Sequence, residues 1–268
     1  MMKPMRVTFL GTGTSHGIPM IGCDCAVCRS DNPRNKRLRP SVYIESDGQC
    51  VLVDATPDFR TQALRANIRR VDAVLMTHTH ADHVFGLDDL RAFTERAGGR
   101  MPVYGSPSSM DAVRRIFPYA CVEKPAWAGL PSFDLHAVEP HQDFEVGGLK
   151  LRALPLQHGR MMVYGFLFGR ELAYVTDCSV VPPDAVAAIR GATVLVLDAL
   201  RHRPHPAHLT IDQARAVAEQ VGAQLTLFTH LCHEAEHEAV EKSLPPHMRV
   251  AYDGMQIEVT DGSVRQMA

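Results

Sequence analysis

Residues 78–83 of this chain have the sequence His-Thr-His-Ala-Asp-His, and this run constrains the fold more than any other feature. An apolar stretch directly before it predicts a buried strand, and a helical pattern follows it. Alternation along a strand puts His78 and His80 on the same side, and the turn into the helix brings Asp82 and His83 around. Two metal ions need about six or seven ligands, most often imidazole and carboxylate groups. One strand end therefore supplies four candidate ligands to a site for two metals.

The rest of the chain alternates strand-like and helical segments. Turn signals predict hairpins, among them one at Asp47-Gly48 and a last one at Asp253-Gly254. A helix is predicted over about 84–96, and the range 122–131, rich in proline, glycine and alanine, is predicted as a loop. Hairpin-rich strands followed by strand–helix alternation, in two successive halves, predict an α/β fold of two mixed β-sheets flanked by helices. The absence of a linker or low-complexity tract fits a single domain over residues 1–268.

Charge and hydropathy restrict the partners that this chain is expected to have. The formal net charge of −2 gives no general argument for nucleic acid or an anionic membrane as partner. No apolar run approaches membrane-spanning length, and the N-terminal residues offer no stretch long enough for a secretory signal. The sequence therefore predicts a cytoplasmic protein with no membrane partner, and nucleic acid is not an expected ligand.

Three of the seven cysteines, Cys23, Cys25 and Cys28, lie within six positions of one another. In a reducing compartment such a cluster indicates metal rather than disulfides. Tetrahedral zinc needs a fourth ligand, for which His233 is the candidate and Cys232 its rival. We therefore expect one structural Zn²⁺ that joins the early loop to the segment around His233.

The run at 78–83, placed after a buried strand, resembles the signature of the metallo-β-lactamase superfamily. The resemblance implies an αββα sandwich with a two-metal site along the edge of its sheets. In the family pattern His78 and His80 bind one metal, and Asp82 and His83 bind the other. The remaining ligands that the resemblance implies each end a strand-like segment, and they are His158, the bridging carboxylate Asp177, and His230.

Asp54 also ends a strand-like segment, although the signature does not include it. We interpret it as a partner that fixes the imidazole of a metal ligand from behind. A carboxylate that only caps the turn after the strand is an equally good interpretation.

The cysteine loop, together with the His230-x-x-His233 pair, narrows the resemblance to the PhnP-type cyclic-phosphate phosphodiesterases of the carbon–phosphorus lyase pathway. This similarity runs nearly from end to end of the chain. It implies two catalytic divalent ions, Mn²⁺ or Zn²⁺, beside the structural Zn²⁺, and a homodimer. The implied reaction is attack of a hydroxide held between the two metals on a small phosphodiester, such as 5-phosphoribosyl 1,2-cyclic phosphate. True β-lactamases of this fold have a cysteine where this chain has Asp177.

Phosphodiester hydrolysis expels an alkoxide, which is a poor leaving group and needs a proton from a general acid. His208 lies 22 residues before His230 and precedes a helix with a capping-box pattern. It matches the acid histidine of the family on both counts. The loop before it also contains His202 and His205, so these two histidines remain rivals for the role.

The basic residues after the cysteine loop allow two interpretations. They form either a solvated surface or a clamp for an anionic substrate, and Arg201 and Arg203 are similar candidates. The basic residues are Arg29, Arg34, Lys36, Arg37 and Arg39.

The glycine-rich segment 11–17 matches neither the Walker pattern nor the dinucleotide-binding fingerprint in its spacing.

Three other functions compete with the phosphodiesterase. A glyoxalase-like thioesterase or lactonase would use the same metals but would not need an acid histidine. A tRNA 3′-processing nuclease should have a basic protruding arm, which this sequence does not show. A non-catalytic carrier resembling the pyrroloquinoline quinone biosynthesis B protein would bind metal without turnover.

Overall fold

The computed structural model describes residues 4–123, 127, 129–260 and 262–267. Within that part of the chain, the strands in sequence order are β1 Met5–Gly11, β2 Ser41–Ser46, β3 Gln49–Val53, β4 Ala73–Leu75, β5 Met101–Gly105, β6 Phe133–Ala137, β7 Asp143–Val146, β8 Leu149–His158, β9 Met161–Phe168, β10 Leu172–Val175, β11 Val194–Asp198, β12 Leu225–Thr229, β13 Met248–Val250, β14 Gln256–Thr260 and β15 Ser263–Gln266.

Helices connect many of these strands. The α-helices are α1 Ala26–Arg29, α2 Phe59–Arg65, α3 Ala81–Val84, α4 Arg91–Ala97, α5 Pro107–Ile116, α6 Pro183–Ile189, α7 Ile211–Val221 and α8 His237–Ser243, and short 3₁₀ helices cover Pro33–Asn35, Leu87–Leu90 and Pro118–Ala120. Thr210 and Gln213 form the predicted capping box at the start of α7. No helix among the described residues is long and apolar enough to cross a bilayer.

The strands form two mixed sheets. The first has the order β15-β14-β1-β2-β3-β4-β5-β6 and is antiparallel up to β3 and parallel from β3 to β6. The second has the order β13-β12-β11-β10-β9-β8-β7 and is parallel from β13 to β10 and antiparallel beyond it. The prediction of two mixed sheets is confirmed.

Three apolar clusters hold the layers together. The inner faces of both sheets share one core, in which Phe9 and Ile44 of the first sheet join Phe166 of the second. Phe59 of α2 belongs to a cluster on the outer face of the first sheet. Ile211 of α7 belongs to a cluster on the outer face of the second. Helices thus cover the outer faces, and the fold is the expected αββα sandwich.

The predicted hairpin at Asp253-Gly254 is wrong. The turn at these residues leads from β13 in the second sheet to β14 in the first, so the strands on either side of it do not pair. The Asp253 carboxylate accepts hydrogen bonds from the backbone N–H groups of Thr12 and Leu38, at 2.9 and 2.7 Å. These bonds fix the turn across the end of the sandwich. The last hairpin is β14–β15, which extends the first sheet.

Parallel strands bring the candidate site residues to one edge of the sandwich. Because β3 and β4 are parallel, and β10, β11 and β12 are parallel, their carboxyl ends lie side by side. Asp54, Asp177 and His230 each follow one of these ends with a positive φ of 59°, 54° and 62°. Left-handed backbone is uncommon for residues other than glycine, and strained backbone of this kind clusters at functional sites.

Candidate metal centres and active site

Three histidines form the first cluster of candidate ligands. His78 follows β4, His80 precedes α3, and His158 ends β8. Nε2 of His78 lies 2.9 Å from Nδ1 of His80, and both rings lie within 5.4 Å of the His158 ring. Nδ1 of His158 donates to the carbonyl oxygen of Ala207 at 2.8 Å, which leaves its Nε2 as the free ligand atom. Imidazole nitrogens this close to each other fit a shared cation.

Asp82, His83, Asp177 and His230 form the second cluster, and all four are buried. Oδ1 of Asp177 lies 3.4 Å from Nε2 of His83 and 3.1 Å from Nε2 of His230. These two Nε2 atoms are buried and have no hydrogen-bond partner among the described residues. Buried polar atoms without a partner are costly, and a cation between these side chains would satisfy them. The donor set therefore fits a second divalent ion.

Asp54 orients one of these ligands. Its Oδ2 accepts from Nδ1 of His83 at 2.7 Å, and its Oδ1 accepts from the backbone N–H of Thr77 at 2.9 Å. The bond to Asp54 fixes His83 with Nε2 toward the cluster, which is the arrangement expected of a carboxylate behind a metal ligand. Of the two interpretations of Asp54, the structure supports the orienting one.

The electrostatics of this cluster favour a positive charge at its centre. Burial lowers the pKa of His83, but the carboxylates of Asp177 and Asp54 outweigh burial and leave this pKa well above its usual range. Burial raises the pKa of Asp177, but His230 and His83 outweigh it and hold that pKa well below its usual range. The cluster therefore keeps the Asp177 carboxylate charged although it is buried.

His208 lies next to both ligand clusters and forms a hydrogen bond with a buried carboxylate. Its ring lies 4.8 Å from the ring of His158 and is stacked at 4.6 Å on that of His230. Its Nδ1 donates to Oδ2 of Asp198 at 2.8 Å. Asp198 ends β11 and also accepts from the backbone N–H of Cys178 at 2.8 Å. Sequence reasoning missed Asp198, although an aspartate at the end of a fully apolar strand was a signal that could have found it.

The two rival histidines are placed differently. His205 lies 5.0 Å from His208, ring to ring, and its Nδ1 accepts from the backbone N–H of Ala207 at 3.2 Å. His202 is exposed. Neither of them belongs to a potential metal-binding group among the described residues.

The three clustered cysteines lie together with His233. Nδ1 of His233 lies 3.2 Å from Sγ of Cys23, 3.5 Å from Sγ of Cys25 and 3.8 Å from Sγ of Cys28. A hydrogen bond from the backbone N–H of Cys28 is the main cause that lowers the pKa of Cys25 to about 6, while burial raises the pKa of Cys28 to about 11. Cys232 lies outside this group. The geometry favours His233 over Cys232 as the fourth ligand of a tetrahedral zinc site.

The basic residues after the cysteine loop bind other parts of the protein. Arg37 is fully buried, and its Nη1 donates to Oγ1 of Thr12 at 2.6 Å and to the carbonyl oxygen of Ala251 at 2.7 Å. A solvated surface is therefore wrong for Arg37. The other four residues also have protein partners: Arg29 pairs with Asp24, Arg34 lies over the Tyr252 ring, Lys36 donates to the carbonyl oxygen of Cys28, and Arg39 pairs with Asp58.

The glycine-rich segment serves this packing. A Cβ at Gly13 would lie 2.9 Å from Cβ of Arg37, and a Cβ at Gly11 would lie 1.9 Å from the carbonyl oxygen of Arg39. These glycines allow the close backbone approach that the packing of Arg37 and Arg39 requires.

Two cavities differ in their relation to the site. One of about 200 Å³ lies between His208 and His233, with Arg201 and Arg203 in its wall. A larger one of about 580 Å³ is lined by Leu151 and other residues from the start of β8 and the end of β9. The smaller cavity adjoins the candidate active site, because His208 lines it.

The fold and the ligand clusters at its edge define a class of protein, and comparison with known sequences agrees. Residues 49–231 match the family described as "Beta-lactamase superfamily domain". The chain belongs to the metallo-β-lactamase superfamily, and its described residues include clusters that could hold metal ions.

Within the superfamily the chain is PhnP-like. A crystal structure described as a new diphosphatase from the PhnP family is 41% identical, has a TM-score of 0.89 and covers 100% of both chains. The Zn²⁺-bound PqqB from Methylobacterium extorquens is 22% identical with a TM-score of 0.75, over 94% of this chain and 99% of that one. The latter likeness concerns the fold alone.

Curated relatives extend beyond the region that they share with this chain. A protein of Porphyromonas gingivalis named octanoyltransferase is 38% identical over 264 residues, which cover 97% of this chain and 53% of that protein. The chain spans about half the length of the first curated relatives that it matches.

Proposed function

We propose that the protein is a metal-dependent phosphodiesterase that hydrolyses a small, ribose-derived cyclic phosphodiester. The observation that carries this proposal is the buried pair of His208 and Asp198 beside both ligand clusters. A thioester expels a thiolate, which leaves without a general acid, whereas a phosphodiester of an alcohol expels an alkoxide, which needs a proton. An oriented imidazole next to the metal ligands meets that need.

The two clusters would hold two divalent ions, Mn²⁺ or Zn²⁺. Bound there, the ions would stabilise charge on the phosphoryl oxygens and lower the pKa of a water molecule. The protein's part is to fix the ligands: Asp54 orients His83, and the carbonyl oxygen of Ala207 orients His158. Asp177 is the carboxylate that would contact both ions. We also propose a structural Zn²⁺ on the thiolates, a homodimer and a cytoplasmic location.

His208 would act through its Nε2 atom. Because Nδ1 donates to Asp198, Nε2 is the nitrogen free to face the substrate. The protonated ring donates its Nε2 proton to the departing alkoxide and later regains a proton from water. Asp198 stabilises the imidazolium before that transfer, as a carboxylate behind a catalytic histidine does. The description of the 41% identical neighbour as a PhnP-family diphosphatase supports phosphoryl chemistry at such a site.

The test is a substrate panel with protein reconstituted in Mn²⁺ or Zn²⁺. The panel contains 5-phosphoribosyl 1,2-cyclic phosphate (the cyclic ester), bis(p-nitrophenyl) phosphate (the aryl ester), a linear diphosphate, S-lactoylglutathione, an acyl homoserine lactone and nitrocefin. We expect turnover of both phosphodiesters, lost with chelator and restored by metal, and no turnover of nitrocefin. Thioester or lactone hydrolysis without diester hydrolysis would favour the glyoxalase-like enzyme. No turnover of any compound would favour the carrier.

A further inference from the structure

The loop 201–208, which carries His208, is held firmly at its C-terminal end. His158 donates a hydrogen bond to the carbonyl oxygen of Ala207, and Asp198 accepts one from His208. The N-terminal half of the loop, 201–204, begins at Arg201, whose carbonyl oxygen accepts from the backbone N–H of Ile211 at 2.9 Å, but it has neither helix nor regular strand. Side-chain contacts must therefore fix the rest of that half.

Glu234 supplies these contacts through two arginines. Its Oε1 accepts from Nη1 of Arg201 at 2.9 Å and from Nη2 of Arg203 at 2.6 Å, and its Oε2 accepts from Nε of Arg203 at 2.6 Å. Arg201 in turn donates to the carbonyl oxygens of Arg203 and Pro204, both at 3.3 Å. One carboxylate thus holds two guanidinium groups that brace the loop.

This arrangement is stronger than an ordinary surface ion pair. Isolated exposed pairs add little to stability because water screens them and their side chains are mobile. The Arg201 side chain is only 13% exposed and that of Glu234 is 31% exposed, whereas that of Arg203 is 64% exposed. Arg203 meets the carboxylate with two nitrogens, a geometry that restricts both groups.

Glu234 is itself fixed by the group of Cys23, Cys25, Cys28 and His233, here called the thiolate cluster. It follows His233, whose Nδ1 lies 3.2 Å from Sγ of Cys23. The carbonyl oxygen of His233 lies 3.7 Å from Sγ of Cys25. The backbone that carries Glu234 is thus anchored to the thiolate cluster on one side and to the acid loop on the other.

We propose that Glu234 is a positioning residue, through which the thiolate cluster sets the place of the acid-bearing loop 201–208. The inference rests on the proposed function, because it assumes that His208 protonates the leaving group. The thiolate cluster then affects catalysis as well as stability. A metal lost from the cysteines would shift the acid although it lies outside the catalytic centre.

The test compares the two phosphodiesters in a Glu234→Ala variant. Misplacing an acid lowers the rate for an alkoxide leaving group, whereas a phenolate leaves with little help. We expect kcat for the cyclic ester to fall about tenfold more than kcat for the aryl ester, with little change in KM. Glu234→Gln keeps one acceptor oxygen and should show a smaller shift in this ratio.

Glu241→Ala is the matched control. The Glu241 carboxylate also binds an arginine and a backbone group, Nε of Arg249 at 2.7 Å and the N–H of Val250 at 2.6 Å, but it lies on α8 away from the loop. It should lower thermal stability without changing the ratio of the two rates. Equal losses on both esters in Glu234→Ala would mean a merely structural role and would overturn the inference.

A double variant tests the route from the cysteines. If the cluster acts through Glu234, Cys25→Ser and Glu234→Ala should not be additive, and the double variant should match the larger single effect on the ratio. Additive effects would overturn the inference. Failure of the wild-type protein to hydrolyse either ester would instead contradict the proposed function. If the ratio of the rates for the cyclic and aryl esters shifts in His208→Ala but not in Glu234→Ala, the role of Glu234 is rejected and that of His208 stands.

Discussion

Oδ2 of Asp198 lies 2.8 Å from Nδ1 of His208, and Asp198 is fully buried while His208 is 9% exposed. The same carboxylate oxygen accepts the backbone N–H of Cys178, so its position is set by the second sheet. Turning the imidazole away would leave a buried charge short of a partner, which costs more than an ordinary hydrogen bond. The fold itself therefore determines the direction in which His208 presents its free nitrogen.

The first prediction concerns His208→Ala. Loss of a general acid costs about 10²- to 10⁴-fold when the leaving group is poor. We expect turnover of the cyclic ester to be nearly eliminated and much of the turnover of the aryl ester to remain. Rates are measured at saturating metal, with metal content determined by elemental analysis. Equal loss on both esters would mean that His208 binds phosphate or metal, and no loss would assign the acid to His205, His202 or water.

Asp198→Asn should have a weaker effect in the same direction. The amide keeps the size of the side chain but removes the charge that stabilises the imidazolium. Loss of a supporting carboxylate typically costs about 10- to 100-fold in activity. We expect this loss on the cyclic ester and a smaller one on the aryl ester, in steady-state assays at full metal occupancy. Unchanged rates with both esters would show that His208 does not depend on Asp198.

Asp177→Ala and His80→Ala should each abolish turnover by disrupting the metal pair. The two positions differ in burial, since Asp177 is buried and His80 is exposed. His80→Ala should therefore leave the folded structure intact, as circular dichroism can verify, while the content of exchangeable metal falls. Near-normal rates in either variant at saturating metal would mean that the ligand assignment is wrong.

Cys25→Ser should remove one tightly held zinc per chain. The thiolate cluster joins two distant loops, so its metal contributes to folding as well as to local geometry. We expect elemental analysis after mild dialysis against chelator to show one equivalent in the wild type and less in the variant, with a lower Tm. Cys121→Ser is the control, because Cys121 lies outside the cluster. A Cys25→Ser protein that keeps all its zinc would contradict the structural site.

The candidate ligands could be predicted from the sequence because each lies at or after the end of a strand whose apolar pattern is local. His78 to His83 form one motif, and the later ligands end apolar segments. Asp198 also ends an apolar strand, but only the tertiary structure shows that His208 meets it. The predicted helix over about 84–96 is interrupted for a similar reason. A Cβ at Gly86 would lie 1.9 Å from the carbonyl oxygen of Thr56, and the backbone N–H of Gly86 donates to the carbonyl oxygen of Ala55 rather than within a helix.

Long-range partners limited the sequence analysis in two other places. The turn signal at Asp253-Gly254 is genuine, but it does not state which sheet each flanking strand joins. The basic run that contains Arg37 was interpreted as a solvated surface or an anion clamp, whereas Thr12 and Ala251 provide buried acceptors for Arg37 from opposite ends of the chain. The predicted loop over 122–131 lies partly outside the described residues.

The last prediction is a loss of stability at acid pH that depends on His237. This side chain is 1% exposed, and its Nδ1 accepts from Nη2 of Arg37 at 3.0 Å, which requires a neutral ring. Burial is the main cause that lowers its pKa to about 4; Arg37 and Arg34 lower it further, while Glu241 and Glu236 oppose them. The unfolded chain therefore binds more protons than the folded one between about pH 6.5 and 4. Its contribution to stability is present above that window and is lost as the pH falls through it.

The matched variant is His237→Gln, whose amide oxygen can still accept from Arg37 but does not titrate. Between pH 7 and pH 5 the free energy of unfolding of the wild type should fall by about 2 kcal/mol more than that of the variant. Urea unfolding at both pH values measures this difference, and protonation of the metal ligands affects both proteins alike. If the two proteins lose the same stability, the acid sensitivity comes from other groups and His237 is not buried as a neutral ring.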